Sequence, residues 1–113
     1  MTTRYSIGHS PDPDDAFMFY AMTESLIDTG DRRYEHVLVD IQTLNQQALD
    51  GAHDVSAVSI HSYPTISNNY SLMNCGASMG EGYGPMIIST SESSVQEASE
   101  STIAIPGLGT SAY

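Results

Sequence analysis

The residues most able to do chemistry lie in three places. The run Ser10-Pro11-Asp12-Pro13-Asp14-Asp15 packs three carboxylates into four positions, a density that can hold an oxygen-ligated cation. A calcium loop of the helix–loop–helix kind needs alternating acids, a central glycine and a glutamate twelfth. Pro13 and Ala16 break that pattern, so helix capping is the better reading: Asp12 as N-cap, Pro13 at the first helical position, Asp14 and Asp15 at the positive end of the dipole. The four histidines, His9, His36, His53 and His61, show no paired spacing on one helix face, which disfavours zinc. His9 and His61 stand out because each falls at the C-terminal end of an expected strand, where open α/β sheets bind ligands. The third place is Pro106-Gly107-Leu108-Gly109-Thr110-Ser111, a glycine turn after an expected strand. Its backbone N–H groups and two hydroxyls suit a carboxylate or similar anionic group, with the Thr110 hydroxyl facing outward. Gly80-Glu81-Gly82-Tyr83-Gly84 precedes a strand instead of joining strand to helix, so it is not a dinucleotide loop. Cys75 has no cationic neighbour in sequence to activate its thiol.

Short apolar strands alternating with helical stretches must position these groups, and that alternation predicts an α/β sheet fold. Strands are expected over 4–8, 36–41, 55–60, 70–75, 85–89 and 102–105, and helices over 14–27 and 43–49. In the first helix Phe17, Tyr20 and Ala21 fall at helical spacing and are expected to face the core. Residues 63–69 read as a turn or short helix, and the polar stretch 90–101 as a surface helix or linker. Ser10, Asn45, Ser59, His61, Thr110 and Ser111 then gather at strand ends and the turns after them. Small polar residues there, without a strong acid, base or metal set, describe the wall of a cleft for a small polar ligand.

Composition removes several alternatives. The chain has 113 residues, 40% of them hydrophobic and 15% charged, which suits one folded domain. Three arginines against 14 acids give a net charge of −11, and such a surface repels nucleic acid and anionic membranes. No apolar run approaches the roughly 18 residues of a membrane span. The N-terminus lacks the basic start and apolar stretch of a signal peptide, so the cytoplasm is the expected location.

The segment HSPDPDDAFMFYAM resembles the opening of the 1,4-dihydroxy-6-naphthoate synthase family, and DIQTLNQQALDG, DVSAVSIHSYP, CGASMGEGYGPMII and IAIPGLGTSAY continue the resemblance in the family's order. It implies a two-lobed fold similar to type II periplasmic binding proteins, of which residues 1–113 hold mainly the N-terminal lobe and 102–113 begin the crossing to the second. It also implies a lyase of the futalosine route to menaquinone, converting cyclic dehypoxanthinyl futalosine to dihydroxynaphthoate without metal or organic cofactor. Carried over position by position, the family's substrate contacts fall on Asn45, Ala57, Val58, Ser59, Thr110 and Ser111, and the strand-end reading adds Ser10 and His61 as cleft-lining candidates. The family's catalytic histidine lies beyond Tyr113, and no residue here matches it, so the chain by itself is expected to be inactive. The alternative is a non-catalytic solute-binding domain of the same fold.

Overall fold

The computed structural model describes residues 1–91 and 93–113. β1 (Thr3–His9) runs into a proline-flanked loop and then α1 (Pro13–Thr23). β2 (Arg32–Leu38), α2 (Ile41–Leu49) and β3 (Val55–Ser56) follow. A single 3-10 turn (Ile60–Ser62) leads directly into α3 (Tyr63–Ile66), and α4 (Val95–Ser99) lies much later in the chain. The three strands form one parallel sheet in the order β2-β1-β3, so β1 is central. Thr3 pairs with Arg32 at one end and His9 with Leu38 at the other, while Ile7 and Gly8 pair with Val55 and Ser56. Parallel pairing through helical crossovers brings all three C-terminal strand ends to the same edge.

The α/β class agrees with the sequence reading, but several elements shift. β2 begins four residues earlier than expected, at Arg32, and stops at Leu38. The reason is local: Asp40 caps α2, its carboxylate accepting from the Thr43 amide at 3.0 Å and the Thr43 hydroxyl at 2.6 Å. That cap turns the backbone out of the sheet before Ile41. The expected strand over 55–60 shortens to two residues. One more ladder bond, from the Ala57 amide to the Gly8 carbonyl at 2.8 Å, ends it. α1 ends at Thr23 rather than 27, where Ser25 takes a left-handed φ of 55°. Its inward face also differs: Phe17 and Tyr20 are exposed, whereas Phe19 stacks on His9 with ring centroids 4.3 Å apart. The stretches 70–75, 85–89 and 102–105 are not strands. A strand needs a partner for its N–H and C=O groups, and Met86, Ile87 and Ile88 stand exposed without one among the described residues. Within 90–101, α4 forms under a capping box between Ser94 and Glu97, and Glu92 lies outside the described residues.

The core is correspondingly small. Ile7, Leu44, Ala48 and Ile66 are its buried apolar residues, one from β1, two from α2 and one from α3. Gly8 is required beside it, since a Cβ there would stand 2.7 Å from both Leu44 Cδ2 and the His53 ring. The radius of gyration is 17.1 Å, against about 13 Å for a compact domain near 100 residues. The segments after α3 account for the difference, because they add little to the core and leave Met79, Met86 and Ile88 exposed.

Leu44 has no exposed surface and packs where α2 meets β1. Leu44→Ala should cost about 2–5 kcal/mol in urea unfolding, the range for a buried leucine that leaves a cavity. A loss below about 1 kcal/mol would mean the site collapses freely and is not the centre of the core.

Candidate functional site

Beyond the C-terminal ends of the strands, two loops converge on one side chain. Asn45 lies in α2 and is 5% exposed. Its Oδ1 accepts from the Ser59 amide at 2.9 Å, and its Nδ2 donates to Ser59 Oγ at 3.2 Å and to the Gly109 carbonyl at 3.0 Å. The last bond spans 64 positions in sequence. Both amide protons and one acceptor lone pair are engaged within the protein, which satisfies a buried amide and leaves it little for a ligand.

The loop that Asn45 reaches is held from several sides. The Gly109 carbonyl also accepts from Ser62 Oγ at 2.5 Å, and the Gly109 amide donates to Gln42 Oε1 at 3.1 Å. The Thr110 amide and hydroxyl both donate to the Gly107 carbonyl, at 3.2 and 2.8 Å. This corrects two sequence expectations. The Gly109 and Thr110 amides are taken by Gln42 and Gly107 rather than free for an anion, and the Thr110 hydroxyl turns inward on a residue only 3% exposed. Ser111 Oγ is the hydroxyl that faces the neighbouring turn, accepting from the His61 amide at 3.4 Å. Ser111 and His61 are exposed, whereas Ala57, Val58 and Ser59 are half-buried along the turn between them and the sheet. The structure therefore brings Asn45, Ser59, Thr110, Ser111 and His61 together. Gln42 and Ser62 join them without having been signalled, because an uncharged side chain that binds only backbone has no motif.

Ser10 has a different setting. Its amide donates to Asp15 Oδ2 and its hydroxyl to Asp12 Oδ2, each at 2.6 Å. Asp12 occupies the N-cap position of α1 but makes no capping bond, since its carboxylate turns back to Ser10. Burial pushes the Asp15 carboxyl above its ordinary 3.8, and the Ser10 amide opposes that only in part. Asp15 therefore resists ionisation while helping to order the loop after β1.

Beside this loop, two histidines bridge β1 and β2. His9 Nδ1 lies 3.1 Å from the Ser10 carbonyl, which can only accept, so Nδ1 carries the proton. Neutral His9 then presents a bare Nε2 to His36 Nδ1 at 3.0 Å, making His36 the donor there. His36 Nε2 is left as a buried acceptor without a partner. Desolvation, with the His9 charge second, holds His36 below its ordinary 6.5. Two protons on this pair would set N–H against N–H. Among the described residues no three His, Cys, Asp or Glu side chains form a metal-holding group.

The family model described as menaquinone biosynthesis matches residues 5–113. The chain belongs to that family. Two curated relatives, both named 1,4-dihydroxy-6-naphthoate synthase, come from Thermus thermophilus (32% identity) and Streptomyces coelicolor (31%), each aligned over 95% of this chain. The chain spans 38% and 37% of those relatives' lengths. A crystal structure of an Archaeoglobus fulgidus protein superposes with a TM-score of 0.68 at 46% identity, covering 72% of this chain and 30% of that one. Among the described residues, no helix is long and apolar enough to cross a membrane.

The histidine pair has a measurable consequence. Unfolded His36 takes up its proton near 6.5 and the folded side chain only at lower pH, so in between the unfolded chain binds more protons. Stability should be complete above pH 6.5 and fall as pH drops below it. Asp40, held down by the Thr43 hydroxyl, and Asp54, held down by the Ser6 amide, act only near and below their ordinary 3.8. Thermal melting between pH 7.5 and 5 should show a falling midpoint, and His36→Phe should flatten that slope. An unchanged slope in the variant would assign it to other groups.

Proposed function

We propose that this chain forms the N-terminal wall of the substrate cleft in a 1,4-dihydroxy-6-naphthoate synthase, a lyase with a two-lobed fold similar to type II periplasmic binding proteins. The substrate on this reading is cyclic dehypoxanthinyl futalosine, handled in the cytoplasm and without cofactor. The observation that carries it is the Asn45 bond to Gly109, which closes the glycine loop over the strand ends and brings Ser111 to the Ser59–His61 turn. The family match over residues 5–113 supplies the chemistry such a cleft would serve.

In this reading the wall binds and orients, and does not transfer protons. Its groups are neutral hydroxyls and backbone, suited to the hydroxyl and carbonyl groups of a sugar-like substrate. Asn45 and Thr110 act by shaping the wall, because their hydrogen-bonding groups are already engaged within it. Ser59 and Ser111 keep acceptor or donor capacity for a ligand. The family resemblance assigns the catalytic histidine to a second lobe, and His61 is not proposed in its place. A lobe carrying that base would complete the site and exclude water from the reacting carbon framework.

Titrating the 113-residue chain with cyclic dehypoxanthinyl futalosine, followed by amide chemical shifts, should move Ser59, His61, Thr110 and Ser111 first. Shifts confined to the opposite end of the sheet, around Arg4 and Arg33, or no saturable shift, would contradict the assignment.

A further inference from the structure

We propose that Gln42 is a positioning residue of this cleft: from the first turn of α2 it sets the Gly107–Gly109 bend, and thereby the stand of Thr110 and Ser111. The inference rests on the reading of this cleft as a substrate wall. Its basis is an asymmetry in how Gly109 is held. The Gly109 carbonyl has two donors, Asn45 Nδ2 and Ser62 Oγ, so loss of one leaves the other. The Gly109 amide has a single partner, Gln42 Oε1 at 3.1 Å. Nothing else described accepts from that amide, so without Gln42 a half-buried N–H loses its bond while the carbonyl anchor persists.

The backbone around it shows how closely the loop sits on this side chain. Gly107 has a φ of 154°, in a region that favours glycine, and a Cβ there would fall on the Gln42 carboxamide. A Cβ on Gly109 would likewise press on Gln42 Oε1, at 3.1 Å. The two glycines let the chain lie flat against the amide, and the amide in return decides how the Leu108–Gly109 peptide is turned. That orientation is passed on. Thr110 bonds Gly107 through both amide and hydroxyl, so it moves with the bend, and Ser111 follows it to the His61 amide. With glycine at both 107 and 109, only Leu108 restrains the bend sterically once the Gln42 bond is gone. Gln42 thus reaches a ligand only through the loop it turns.

Two variants test this in the 113-residue chain. Gln42→Leu keeps the size and removes the acceptor; Gln42→Glu keeps an acceptor oxygen in the same place. Hydrogen exchange at Gly109 should quicken about tenfold in Q42L, the fold-change expected for one net hydrogen bond, and stay within about threefold of the parent in Q42E. Exchange in β1 should stay unchanged in both. Binding of cyclic dehypoxanthinyl futalosine should weaken by a similar factor in Q42L and recover in Q42E. Unchanged Gly109 exchange in Q42L, or a Q42E as impaired as Q42L, would overturn the role given to the Oε1 acceptor. If the parent chain binds no ligand, the proposed function fails, and the exchange pattern alone still decides Gln42. A Q42L that does not fold would count against a purely positional role, and Q42E would then show whether the acceptor is what the fold requires.

Discussion

The joining of the glycine loop to the C-terminal strand ends depends on satisfying one buried carboxamide. Asn45 is held in α2 beside a very small core, and a primary amide in such a place must find partners for both protons and its oxygen or destabilise the fold. Its partners come from two segments, the turn after β3 and the glycine loop 64 positions beyond Asn45, which the Ser62–Gly109 and His61–Ser111 bonds also join. The need to satisfy this group therefore does what apolar packing does elsewhere in a domain. It draws the second half of the chain, which adds little to the core, back to the strand ends.

The same constraint explains why β3 is so short. After the Ala57 amide bonds Gly8, the next available donor, Ser59 N–H, is taken by Asn45 instead of by the sheet. The backbone then turns into the 3-10 segment that carries Ser62, whose hydroxyl grips the Gly109 carbonyl. Local structure and tertiary contact at the strand ends are linked through one sequence of donors and acceptors. The acidic loop after β1 is a separate unit, ordered by Ser10, Asp12 and Asp15 and tied to β2 through the His9–His36 pair. In a chain of net charge −11, the side chains of Asn45, Ser59, Ser62 and Thr110 that meet at the strand ends carry no charge.

Much of the strand-end arrangement was legible in the sequence, because small polar residues after short apolar runs mark the ligand-binding edge of a parallel sheet. Asn45, Ser59 and the 106–111 loop were found that way. The direction of their hydrogen bonds was not: a hydroxyl or amide in a turn has the same letter whether it faces ligand or backbone, and Thr110 turned out to face Gly107. Gln42 and Ser62 carried no signal for the same reason. The strands expected over 70–75, 85–89 and 102–105 show the opposite failure, since β propensity yields a strand only where a partner ladder exists. In α1, apolar spacing placed Phe17 inward, whereas stacking with His9 selected Phe19.

The central claim is that Asn45 joins two loops by two separable arms, and residue-resolved hydrogen exchange in Asn45→Asp tests it most directly. Aspartate keeps an acceptor for the Ser59 amide but loses the donor to Gly109. Protection at Ser59 should persist while Gly109 and Thr110 exchange faster, because Ser62 alone then anchors the Gly109 carbonyl, and β1 is unaffected. Equal loss at Ser59 and Gly109, or no change at either, would show that the two loops are not joined through this side chain.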